Sequence, residues 1–100
     1  MTMSSDQLTH NMAQDFSEFL TNTIGLDDAP ADEFFDPIAA VFGNAPTQAS
    51  VVAVFKSHDG PNRLASKLND WLETNDVTDS LARQLLEIMI VNNFGPDVIA

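Results

Sequence analysis

The sequence predicts an all-α fold, a compact single-domain bundle of about five short helices, and three observations carry that expectation. Apolar residues recur at steps of three and four along most of the chain, the spacing that lines one face of a helix. Gly and Pro fall between those stretches, where helices stop and restart. One segment, around Val51 and Val52, is β-branched enough to look like a strand, but it has no second strand to pair with. Of the 100 residues 44% are apolar, enough for one modest core and too many for a disordered acidic tail.

The first helix is expected over residues 5–24. Leu8, Met12, Phe16, Phe19, Leu20 and Ile24 form its apolar face, and Ser4 with Gln7 makes a capping box at its start. Gly25 stops it, because glycine closes a helix in the left-handed conformation without steric cost. Residues 26–36 form an acidic connector in which Phe34 and Phe35 turn inward. At Asp36-Pro37 the carboxylate can accept from free backbone N–H groups, and proline suits the first helical position. A second, short helix is therefore expected over 37–42, burying Ile38, Val41 and Phe42 before Gly43 ends it.

Asn44 or Thr47 caps a third helix over 47–57, lined by Val51, Val52, Val54 and Phe55. After the break at Asp59-Gly60-Pro61, Leu64, Leu68, Trp71 and Leu72 define a fourth over 61–74, with Arg63, Lys67, Asp70 and Glu73 outside. The fifth runs over 79–93 through Leu81, Leu85, Leu86, Ile88, Met89, Ile90 and Val91, and Gly95-Pro96 stops it. Between Leu85 and Val91 only Glu87 is polar. A helix apolar on nearly every side belongs at the centre of a bundle or at an interface.

Fifteen carboxylates stand against four basic residues, a formal net charge of −11. Lys56, Arg63, Lys67 and Arg83 all fall in the second half, and the first 55 residues hold eight acids with no Lys or Arg. The resulting field favours basic partners and disfavours bare nucleic acid and anionic membranes. Arg63 and Lys67 lie one turn apart, but Asp70 and Glu73 continue the same side, the pattern of an ordinary mixed-charge helix surface.

With no cysteine there is no disulfide, thiolate nucleophile or cysteine-bound metal. His10 and His58 are the two histidines, tyrosine is absent, and no carboxylate spacing selects a catalytic pair. The acidic connector lacks the alternating ligands and central glycine of a calcium loop. A non-enzymatic protein without cofactor or metal is expected. The N-terminus has no basic n-region, and Leu85–Val91 is too short to span a bilayer, so the expected location is cytoplasmic.

The stretch TNTIGLDDAPADEFFD, ending at Asp36, is similar to the segment of acyl and peptidyl carrier proteins that joins their first helix to the modified serine. Those proteins are also small, acidic helical bundles. In that family a Gly-Asp/His-Ser-Leu motif follows, whose serine takes the phosphopantetheine arm. Here Pro37-Ile38-Ala39-Ala40 stands in its place. An Asp79-Ser80-Leu81 tripeptide opens the fifth helix, too near the end of the sequence for two later helices to follow. The resemblance implies at most a degenerate carrier-like domain, with no modification site at Ser80.

Protein binding is the expected function. An acidic inhibitor or adaptor would occupy a basic protein surface, and one that normally grips nucleic acid is a concrete case. In size and charge the chain resembles nucleic-acid mimics and phage counter-defence proteins such as anti-CRISPR-like inhibitors. Asp27, Asp28, Asp32, Glu33 and Asp36 would make the electrostatic contacts, steering and orienting the partner. The alternative is a structural or regulatory homodimer seamed by Leu85, Ile88, Met89, Ile90 and Val91, with the acidity serving solubility.

Overall fold

Three helices begin on a side-chain oxygen. Ser4 Oγ accepts from the Gln7 backbone N–H at 3.1 Å, at the head of the first helix. Further on, the Thr47 hydroxyl accepts from the Ser50 N–H at 3.1 Å while the Ser50 hydroxyl accepts from the Thr47 N–H at 2.8 Å. Thr78 Oγ1 accepts from the Leu81 N–H at 3.2 Å. Each cap contributes about 1 kcal/mol by satisfying an amide that no helical turn can reach. The reciprocal pair at Thr47, rather than Asn44, starts the β-branched segment as a helix.

The computed structural model describes residues 4–23, 25 and 31–99. In chain order it contains α1 (Ser5–Thr23), a 3-10 turn (Ala31–Phe34), α2 (Phe35–Phe42), α3 (Gln48–Lys56), α4 (Gly60–Leu72), α5 (Asp79–Phe94) and a closing 3-10 turn (Pro96–Val98). All five expected helices are present, and no strand occurs among the described residues. None of the described helices is long and apolar enough to cross a membrane.

Two helix ends differ from expectation by two residues, and the others fall within one. α2 starts at Phe35, and Phe34 before it has helical angles (φ −88°, ψ −1°) with no side-chain cap. The 3-10 turn feeds straight into the helix, so its own tight geometry replaces the cap and Asp36 lies inside the first turn. There the helix dipole still favours its carboxylate, and Pro37 falls where no N–H is required. α4 ends at Leu72, short of the expected 74, because Glu73 turns left-handed at φ 55°.

The apolar stripe of α1 buries Leu8, Met12, Phe16, Phe19 and Leu20; Ile24 lies outside the described residues. Phe34 is fully buried, its ring centroid 5.8 Å from Phe16 and 4.6 Å from Trp71. The 3-10 turn within the acidic connector is thereby anchored to both α1 and α4. α5 takes the centre, packing on α1, α3, α4 and the closing turn, and sends Ala82, Leu85, Leu86, Met89 and Ile90 inward. Burial of each large side chain stabilises the fold by about 1.5–3 kcal/mol.

Two local devices fix the helix junctions. A Cβ on Gly60 would lie 1.7 Å from the Val54 carbonyl oxygen, so only glycine lets α4 begin against α3. The Asn69 amide bonds the backbone of Val77 twice, Nδ2 donating to its carbonyl and Oδ1 accepting from its N–H, each at 2.9 Å. That pairing holds the link between α4 and α5 in place and buries the Val77 side chain.

Candidate protein interface

Asp27 and Asp28, two of the five connector acids, lie outside the described residues, and Asp32 belongs to the first 3-10 turn. Glu33 and Asp36 are exposed. Asp36 borders a cleft of about 350 Å³ between α1 and α2, which is also lined by Asp6, His10, Phe35, Ile38 and Asn44. The His10 imidazole stands edge-on to the Phe35 ring, with centroids 5.1 Å apart and planes at 90°. Two carboxylates beside an aromatic wall suit a cationic side chain, which gains from both the charges and the ring face. A cation over a ring face also occurs within the chain, where the Arg83 guanidinium lies 4.8 Å over the Phe55 ring.

Asp6 was not among the acids singled out from sequence, although its spacing of four from His10 already put the two on one edge of the first helix. The cations sit elsewhere. Lys56, Arg63, Lys67 and Arg83 are exposed on α3, α4 and α5, and Arg63 Nη2 donates to the Val41 carbonyl at 3.5 Å. The described parts of α1, the first 3-10 turn and α2 carry no Lys or Arg.

The residues of the expected dimer seam divide between core and surface. Leu85, Met89 and Ile90 are wholly buried in this chain's own core, because α1, α3 and α4 already pack around that side of α5. Ile88 and Val91, at 39% and 40% exposure, are the large apolar side chains left exposed among the described residues. Ile88 borders a second cleft of about 260 Å³ between α1 and α5, with Asp15, Glu18, Phe19, Asn22 and Thr23.

Asp15 was not singled out in the sequence either. Its two carboxylate oxygens accept from Asn92 Nδ2 and Asn93 Nδ2, each at 3.2 Å. Burial pushes its pKa above the ordinary 3.8 against the pull of those hydrogen bonds, and the charge of Glu18 adds to the rise. The available signal was an acid at the edge of an apolar stripe, three residues after Met12 and four before Phe19.

No three His, Asp or Glu side chains among the described residues gather where they could hold a metal ion. Pro37 to Ala40 form part of α2, and Ser80 lies exposed in the first turn of α5. Compared with known proteins, the chain matches no family model, no curated protein and no solved structure.

Proposed function

We propose that the protein acts by binding a basic protein surface, as an inhibitor or adaptor, through the cation-free side of the fold formed by α1, the first 3-10 turn and α2. The observation that carries this reading is the segregation of charge across the fold. Asp6, Asp15, Glu18, Asp32, Glu33 and Asp36 share those elements with no cation, while the four basic residues ride on α3, α4 and α5. Long-range attraction steers a cationic surface to this side, and the cleft at Asp6, Phe35 and Asp36 orients it by taking a Lys or Arg side chain.

A surface that grips nucleic acid is the concrete case, since its cations are already arrayed for regularly spaced negative charge. In this reading the protein is non-enzymatic, acts in the cytoplasm, and engages neither nucleic acid nor membrane directly. Its affinity for a partner recovered from the native host is expected to fall at least about tenfold between about 0.05 and 0.5 M NaCl. Asp6→Lys with Asp36→Lys should weaken binding by a similar factor, whereas Arg63→Glu with Lys67→Glu should not. Affinity indifferent to salt and to the paired lysines would rule the reading out.

A further inference from the structure

We infer that the groove between α1 and α5 receives a cationic amphipathic helix of the partner protein. The inference rests on the reading above only in taking the partner to be basic; the groove is separate from the cleft at Asp36. Ile88 and Val91 stand three residues apart on α5, on one side of the helix, and both are exposed. Ile88 meets Phe19 at the cleft, giving the groove an apolar floor. Asp15 and Glu18 line it from α1, and on α5 the exposed Glu87 directly precedes Ile88.

An apolar floor beside acidic side chains matches a helix with one apolar stripe flanked by Lys or Arg. The geometry also favours a helix over an extended peptide. Asp15 is bonded to Asn92 and Asn93, while Asn22 and Thr23 lie beside Ile88, so α1 and α5 run antiparallel along the groove. Side chains of a third helix fit between two such neighbours, and the described residues offer no strand edge for an extended chain. A second copy fits poorly. Two-fold pairing of this face lays the acidic side chains of one copy against those of the other, between chains that each carry a net charge of −11.

The test is a nuclear magnetic resonance titration of the full chain with a synthetic Leu/Lys amphipathic peptide of about 18 residues, long enough to be helical alone. Its scrambled isomer, identical in charge but without a stripe, serves as the comparison. The amphipathic peptide should bind at least about tenfold tighter than the scrambled one, with shifts centred on Glu18, Asn22, Ile88 and Val91. Ile88→Ser with Val91→Ser should remove that tenfold advantage while the chain keeps its helical circular dichroism, since both side chains lie outside the wholly buried core.

Equal binding of the two peptides overturns the inference. Shifts centred on Asp6 and Asp36 also overturn it, yet leave the basic-partner reading standing. Concentration-dependent shifts at Ile88 and Val91 without peptide would make a second copy the occupant and overturn it as well.

Discussion

Asp15 is charged against its surroundings, and the sign of that effect is testable. Its folded pKa lies above 3.8, so the native state holds the proton more tightly than the unfolded chain does. The stability gained by protonation is complete below that unfolded value and is lost as pH rises through the folded pKa. The unfolding free energy of the natural protein minus that of Asp15→Ala, from urea titrations, should therefore decrease between about pH 3.5 and pH 7. An increase would mean that the Asn92 and Asn93 hydrogen bonds outweigh burial. Individual side chains were legible where their partners are local. Ser4 and Thr47 cap amides three residues away, a spacing visible in the sequence. The partners of Asp15 lie 77 and 78 residues away, and those distances close only when α5 packs on α1. Asn69 is similar, since nothing in its neighbourhood announces that its amide will bond both backbone groups of Val77.

At the scale of elements, helix identity followed from apolar periodicity, while helix edges depended on backbone details that periodicity does not carry. α2 shows the limit. Asp36-Pro37 has the composition of a helix start, but the preceding 3-10 turn enters the helix already wound and leaves no cap to fill. α5 shows another. Its apolar surroundings were compatible with a core or an interface, and the three helices packed around it resolve most of it as core. The junction of α3 and α4 gives the sharpest prediction at this scale. Gly60→Ala drives a methyl group into the Val54 carbonyl, backbone against backbone, with no side chain free to yield. It should cost at least about 2 kcal/mol in chemical denaturation. A loss near zero would show that α4 can slide away from α3 freely.

For the molecule as a whole, a charge of −11 is spread over a body with a radius of gyration of only 12.4 Å. At low ionic strength the screening length exceeds that radius, so carboxylates on distant elements repel one another. Salt should therefore stabilise the fold while weakening its hold on a basic partner. Screening that recovers about 1 kcal/mol raises the melting temperature by roughly 4–8 °C, to be read by calorimetry at about 0.01 and 0.3 M NaCl. A melting temperature that falls would mean that attractive pairs dominate the surface. One ring contact bears on how such changes can be followed. The chain holds a single tryptophan and no tyrosine, and the Trp71 ring lies against Phe34, in the 3-10 turn of the acidic connector. Near-ultraviolet emission thus comes from one indole seated where α4 meets that turn. Unlabelled protein reports by its own fluorescence whether this contact persists when salt, denaturant or a partner is added.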